Sequence, residues 1–355
     1  MRRFILSIVC CLATLTYAQT SLGEQAKQDI VQKTTFGGYV IGKAGFNDQE
    51  GKTHSSFDLR LARVYVNGQV LDFKYRLQME VNGVAGTSQE KGPRIVDAYG
   101  EWVKYPFFQV RFGQFKRAFT FENPMNPWDI GFGGYSQLTD KLAGMNDRIG
   151  EHSSGGRDIG LQIQGDLLPI GNDRHNFLHY QVGIYNGQGI NHADANNRKD
   201  LIGGLYIYPI KNLAIGAFGW NGSYTKSNVT TDRNRLAFGV KYEADWSVRA
   251  EYASSEGHKI SNYNADGSIS GSDKADAWYI AVGAPLNNKC KVYAKWDVYR
   301  EAKEWGNMKS LYCLSANYYF FKNLKLQANY SYTRDKSNAL DGHYNTFDIQ
   351  LYWRF

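Results

Sequence analysis

The sequence is short of what a helical membrane protein needs. Among its 355 residues no apolar run approaches the ~20 required for a spanning helix. The mean hydropathy of −0.49 also argues against helical spans. Catalytic patterns are missing too. His152 with Ser153 and Ser154, and His54 with Ser55 and Ser56, stand in Gly/Ser-rich loop sequence without a nucleophile elbow. The seven histidines, from His54 to His343, are scattered without metal-ligand spacing. Asp194, Asp266 and Asp273 lie in loops that lack an EF-type calcium pattern. No enzyme activity, cofactor or metal is therefore expected.

Cysteine is scarce as well. Of four, Cys10 and Cys11 fall in an N-terminal stretch expected to be removed. Residues 1–18 join Arg2-Arg3 to an apolar core, Phe4–Leu15, and a Thr16-Tyr17-Ala18 end. This is the make-up of a signal peptide cleaved after Ala18. Losing Arg2 and Arg3 moves the formal charge from +7 to +5. Export also removes nucleic acid as a partner, despite a pI near 9.0. Residues 19–33 read as a short periplasmic lead. Cys290 shares parity with the apolar Val292 and Ala294, and Cys313 with the polar Ser315 and Asn317. A bridge needs Cα atoms within ~7 Å and converging Cβ vectors, so two free thiols are expected.

What is abundant is aromatic: 25 Tyr, 19 Phe and 8 Trp, with 37 Gly, in a pattern of period two. Phe73, Tyr75, Leu77, Met79 and Val81 alternate without exception with Lys74, Arg76, Gln78, Glu80 and Asn82. Successive strand side chains point to opposite sheet faces, so such a strand is apolar on one side and polar on the other. Phe347–Phe355 repeats the pattern. Sixteen such segments can be marked between Phe36 and Phe355, joined by connections that alternate long and short. Near Ala62 the phase slips, as at a bulge. Strand nine is read as Leu213–Tyr224, with 225–234 a polar loop.

This predicts an all-β fold over residues 34–355, a transmembrane antiparallel barrel of about sixteen strands with its apolar faces on lipid. Short turns fall on the periplasmic side and long loops outside. The longest, Ala118–Gly156, holds too many aromatics for a slack linker. At this strand number the interior is an aqueous channel.

The lumen's chemistry is charge. Arg60, Arg63, Lys74, Arg76, Arg111, Lys116 and Arg117 cluster on strands two, three and five, just ahead of the long loop. Folded inward, that loop would narrow the pore against a basic wall, which favours anions. The competing reading pairs these cations with Glu80, Asp97 and Glu101 in a wall network. A barrel serving mainly as a receptor through its loops is the third reading.

Several segments resemble the phosphate-selective porin O and P family. They include Phe57-Asp58-Leu59-Arg60-Leu61-Ala62-Arg63-Val64, Phe73-Lys74-Tyr75-Arg76-Leu77 and Val96-Asp97-Ala98-Tyr99. The fullest is Val110-Arg111-Phe112-Gly113-Gln114-Phe115-Lys116-Arg117-Ala118-Phe119, followed by Gly156-Arg157-Asp158-Ile159-Gly160 and Tyr185-Asn186-Gly187-Gln188-Gly189. The resemblance implies a homotrimeric outer-membrane porin with its third external loop folded into the pore, passing phosphate or other small oxyanions. It matches Arg60, Arg63, Gln114 and Lys116 to family positions. It also implies contact with outer-membrane lipid and lipopolysaccharide, and recognition of Phe355 by the barrel-assembly machinery.

Overall fold

The computed structural model describes residues 33–49, 54–82, 92–338 and 342–355. The expected signal peptide and, apart from Lys33, the lead lie outside the described residues.

Sixteen strands close into one antiparallel barrel. The first half comprises β1 (Thr35–Asn47), β2 (His54–Val70), β3 (Phe73–Glu80), β4 (Arg94–Tyr105), β5 (Phe108–Lys116), β6 (Arg157–Ile170), β7 (His175–Tyr185), β8 (Asp200–Ile210) and β9 (Leu213–Asn221). A small hairpin, β10 (Ser223–Lys226) and β11 (Val229–Asp232), interrupts the wall. The barrel resumes with β12 (Asn234–Glu243), β13 (Ser247–Glu256), β14 (Lys274–Asn287), β15 (Cys290–Glu301), β16 (Met308–Phe321), β17 (Leu324–Asp335) and β18 (His343–Arg354). β9 pairs directly with β12, leaving β10 and β11 as a separate two-stranded sheet. The strand expected to reach Tyr224 thus ends at Asn221, and the polar stretch after it folds back on itself. Its β-branched Thr225, Val229, Thr230 and Thr231, on either side of Ser227-Asn228, were the signal for a second, shorter hairpin.

Closure joins the two ends of the barrel. β1 pairs with β18 from Tyr39–Arg354 to Asn47–Thr346. Beyond that ladder Gly38 and Phe355 exchange both backbone N–H···O bonds, each 3.0 Å. A Cβ on Gly38 would lie 2.5 Å from the Phe355 ring, so the ring can lie over this backbone only because the side chain is absent.

Inside and outside follow the parity of the sequence. Phe57 (92 % exposed) and Phe112 (66 %) turn outward, whereas Gln78 and Glu80 (each 2 %) turn inward. In a membrane the outward set meets lipid, and strand pairing satisfies the backbone groups. The bulge lies at Arg60, two residues before the expected slip. Ile41 pairs with Leu61 and Gly42 with Leu59, leaving Arg60 as the extra residue. Arg60 and Leu61 consequently both reach inward, to Tyr352 and to the Tyr39–Ile41–Trp128–Tyr352 cluster respectively. Cys290 and Cys313 are free thiols, and Cys290 lies opposite Tyr318, five positions along β16 from Cys313.

Candidate functional site

The 117–156 connection between β5 and β6 has little regular structure beyond α1 (Gln137–Leu142). Its backbone must therefore find partners elsewhere, and inward-facing side chains of the distant wall supply them. Glu251 on β13 accepts the N–H groups of Phe121 (2.6 Å) and Glu122 (3.0 Å). Asp297 on β15 accepts that of Gln137, 2.9 Å away. Carbonyls are served likewise: Lys325 donates to Trp128 (2.6 Å), Asn317 to Gly131 (2.9 Å) and Gln350 to Gly133 (3.3 Å). Arg249 donates to Ile130 and Arg235 to Leu142. Ser136 caps α1 by accepting the Thr139 N–H and itself donates to Glu122. Phe119 and Phe121 pack edge-on against Phe218 at 6.2 and 5.2 Å. The segment is thereby held against β9 and β12–β18, and β2–β7 remain opposite it.

On that opposite wall the basic residues line up with acids. Arg63 (2.7 Å) and Arg94 (3.1 Å) share Glu80. Arg157 (2.8 Å) and Arg76 (3.5 Å) share Asp97, and Arg111 takes Glu101 at 2.9 Å. The wall-network reading thus describes the pairing, but the sharing is unequal: five guanidiniums divide three carboxylates. Aromatic rings back them. Arg76 lies 4.9 Å from the Tyr65 ring, and Arg111 lies 4.8 Å from Tyr99 and 5.4 Å from Phe115.

Two cavities follow this wall. One is lined by Arg63, Arg76, Arg111, Lys116 and Arg157, with Asp97 its single acidic lining residue. The other, toward the long connections, is lined by Arg60, Arg63, Arg94, Lys116 and Arg157, with Glu80 and Asp140. They have Arg63, Lys116, Pro127 and Arg157 in common, so this ring of residues lies between them.

The expected site residues separate into groups. Arg60, Arg63, Arg76 and Arg111 lie on the wall. Arg60 donates to Gln350 (2.7 Å) and Tyr352 (2.9 Å) and has no carboxylate partner among the described residues. Lys116 lines both cavities, but its ammonium is fully engaged, donating to the Asn123 and Met125 carbonyls and to Tyr135 Oη at 2.5, 3.0 and 3.1 Å. It staples the segment as much as it charges the passage. Lys74 is exposed away from the ring, in a separate hollow with Arg76 and Glu101.

Gln114 and Arg117 are engaged in packing the connections. Gln114 lines neither cavity. Its amide donates to the Ile95 carbonyl (3.0 Å) and accepts the Asn191 N–H (2.7 Å), pinning the 186–199 connection. Gly113 beside it has φ +130, where a Cβ would meet the Ala98 oxygen at 2.2 Å, so glycine is required at this turn of the strand. Arg117 borders the first cavity, but its side chain is wholly buried, paired with Glu151 (2.9 Å) and Asp158 (3.0 Å). It belongs to a knot with Arg233, Arg235, Asp147 and Asp200, in which all three guanidiniums lie 4.5–4.9 Å from the Trp220 ring. Within it, burial would push the Asp147 carboxyl up, but Arg235 outweighs this and holds it below the usual carboxylate range.

Sequence reasoning missed Arg94 and Arg157 as wall residues. Each falls between a loop and a strand in the sequence pattern, Arg94 just before Ile95 and Arg157 just before Asp158. A cation directly ahead of each strand's alternating pattern was the available signal.

The model of the family described as phosphate-selective porin O and P matches residues 37–244, more than half of the chain. No curated protein matches the sequence. Among solved structures, the anion-selective porin from Comamonas acidovorans superposes with a TM-score of 0.66 at 14 % identity, covering 91 % of this chain and 99 % of its own. OmpF of Salmonella typhi, in a complex with daunomycin, gives 0.65 at 12 % identity, covering 91 % and 97 %. The outer membrane channel DcaP of Acinetobacter baumannii gives 0.62 at 14 %, again covering 91 % and 97 %. At such identities these likenesses concern the fold. With the matched segments, the closed sixteen-stranded barrel and the cavities lined by charged side chains, they lead to one conclusion: the chain belongs to the phosphate-selective porin O and P family and is an outer-membrane diffusion channel.

Proposed function

We propose that this porin favours anions, with phosphate and other small oxyanions as permeants. The observation that carries the reading is the five-to-three ratio of guanidiniums to carboxylates along the wall, with Lys116 and Arg60 added at the ring and the outer cavity. Charges lining a narrow, water-filled passage between low-dielectric walls are screened less than in bulk, so a surplus of this size sets the sign of the local potential. The 117–156 segment narrows the lumen and keeps the stream of ions close to the wall. Guanidiniums whose own acids sit behind them hold an oxyanion briefly rather than tightly, as flux demands.

The reading also takes the channel to be a homotrimer, exported with its first 18 residues removed. A trimer form of OmpT from Vibrio cholerae shares the fold, with a TM-score of 0.57. The neutralised pairs along the wall favour a second reading, a general non-selective porin. Reversal potentials in planar bilayers under a salt gradient separate the two. An anion-directed potential, with phosphate reducing chloride current, supports the first. A potential near zero supports the second, and a cation-directed one overturns the proposal.

A further inference from the structure

The fold brings together two histidines that the sequence keeps far apart. His152 lies near the end of the 117–156 segment and His192 in the 186–199 connection, where it is exposed. Their ring centroids are 4.0 Å apart, with the planes tilted by 40°. Among the described residues no other two histidine rings meet in this way. One backbone oxygen serves both. The Ile190 carbonyl oxygen lies 3.1 Å from His152 Nε2 and 2.7 Å from His192 Nδ1. Two imidazole nitrogens and an oxygen thus converge from two separate connections.

Each arm is held from behind. Ile190 is buried, and Asn191 beside it donates its N–H to Gln114 (2.7 Å) and its side-chain amide to the Ile95 carbonyl (3.1 Å). On the other arm Glu151 is buried and gripped by Arg117 and Arg233, and the Ser153 carbonyl accepts a bond from Arg94 at 2.7 Å. Gly189 allows the arms to meet. At its φ of +84 a Cβ would run into Glu151 Oε1 and lie 3.0 Å from His152 Cε1, so glycine is required for this approach. Such outer supports are what fix the orientation of metal ligands.

The spacing carries chemical information. Two ligand atoms each about 2.0–2.1 Å from one ion lie about 2.9 Å apart at a right angle and about 3.4 Å apart at the tetrahedral angle. The observed 3.1 and 2.7 Å fit the right angle of a tetragonal ion. Nitrogen and oxygen donors in that geometry select copper(II) or nickel(II). A neutral imidazole donates through one nitrogen and offers a lone pair at the other, so a shift of tautomer turns each ring from donor to ligand with no proton released. Among the described residues no third His, Cys, Asp or Glu joins the pair, and the Ile190 oxygen takes that place. We propose that His152 Nε2, His192 Nδ1 and the Ile190 carbonyl form a binding site for divalent copper or nickel, with water in the remaining positions. The ion clips the 117–156 segment to the 186–199 connection. No guanidinium of the lumen wall is a ligand, so the site is independent of which solute the channel prefers.

The test titrates the full porin, untagged and in non-ionic detergent, with copper(II) sulfate. Calorimetry reads the affinity, and electron paramagnetic resonance counts the nitrogens bound to the metal. A single ion per chain is expected, coupled to the nitrogens of two imidazoles. His152→Gln and His192→Gln should each remove one coupled nitrogen and weaken binding at least about tenfold. His343→Gln, at a histidine outside the site, should bind as the wild type does. Heat-dependent electrophoretic mobility shows that each variant is folded. A wild-type spectrum with fewer than two imidazole nitrogens overturns the proposal whatever the variants do. Undiminished binding by the folded His152→Gln/His192→Gln double variant overturns it as well, and so does loss of binding in His343→Gln.

Discussion

Glu251 accepts the backbone N–H groups of both Phe121 and Glu122, at 2.6 and 3.0 Å, from a strand 130 residues further along the chain. One carboxylate thus fixes the first turn of the lumen segment, and Tyr279 Oη adds a third bond at 2.7 Å. Hydrogen bonds to a charged group contribute ~1.5–3 kcal/mol each in net terms. Glu251→Ala should free this end of the segment and lower the unfolding free energy by about 3 kcal/mol. Single-channel recordings should show a larger and noisier open current. A quiet trace of unchanged amplitude would show that the segment is held without it.

The wall pairs predict opposite effects for their two partners. Arg111→Gln leaves Glu101, among the described residues, with only the Gln164 amide, 2.6 Å away, so a negative charge replaces a neutral pair. The ratio of anion to cation permeability should fall several-fold. Glu101→Gln should raise it. Reversal potentials under a tenfold salt gradient measure both, and shifts of the same sign would sink the assignment.

Ionic strength should modulate the preference. The Debye length shrinks from ~10 Å at 0.1 M to ~3 Å at 1 M, so an excess of wall charge acts over much of the lumen in dilute salt and over little of it in concentrated salt. The reversal potential for a fixed salt ratio should fall steadily as both baths are concentrated. Constancy over that range would point to size, not charge, as the discriminator.

Acid should loosen the buried knot. Arg235 and its neighbours hold the Asp147 carboxyl below its usual range against the effect of burial. A group depressed in the folded state contributes stability that is whole above its unfolded value and is lost as pH falls through the folded one. Heat resistance of the folded barrel should therefore be flat near neutrality and fall only below the ordinary carboxylate range. Asp147→Asn should be less stable at pH 7 and show less of that acid dependence. Electrophoretic mobility of heated and unheated samples across pH 3 to 7 reads both.

At the seam, Gly38→Val would set a side chain 2.5 Å from the Phe355 ring and 2.7 Å from the Arg63 carbonyl. The heat-resistant folded band should be lost or much reduced. Phe355→Ala in the same chain should partly restore it by removing the ring.

The barrel was legible because lipid imposes period two on every strand, and the unbroken alternation through Phe73–Asn82 makes the two faces plain. Register was less so. The slip felt near Ala62 is a bulge at Arg60, because an extra residue changes the apparent phase only once the following side chains are compared. The uses of Gln114, Lys116 and Arg117 were not legible. Gln114 depends on the 186–199 connection, and Lys116 and Arg117 on how 117–156 folds back over them, and no local period encodes either. Arg111 and Arg76 stood on the polar parity, and the structure puts both on the wall. The arginines that double up there, Arg94 and Arg157, sit at strand starts where alternation carries least information.

The unequal sharing along the wall has a consequence for how such a channel changes over generations. Glu80 keeps a partner if either Arg63 or Arg94 is lost, and Asp97 if either Arg157 or Arg76 is lost. A single basic residue can therefore drift to a neutral one without stranding a buried acid, and each loss lowers the surplus by one charge. Loss of either acid instead leaves two neighbouring guanidiniums repelling each other. Inheritance can thus adjust the channel's ionic taste stepwise through its arginines, while its few acids stay under the stricter demand of keeping the protein folded.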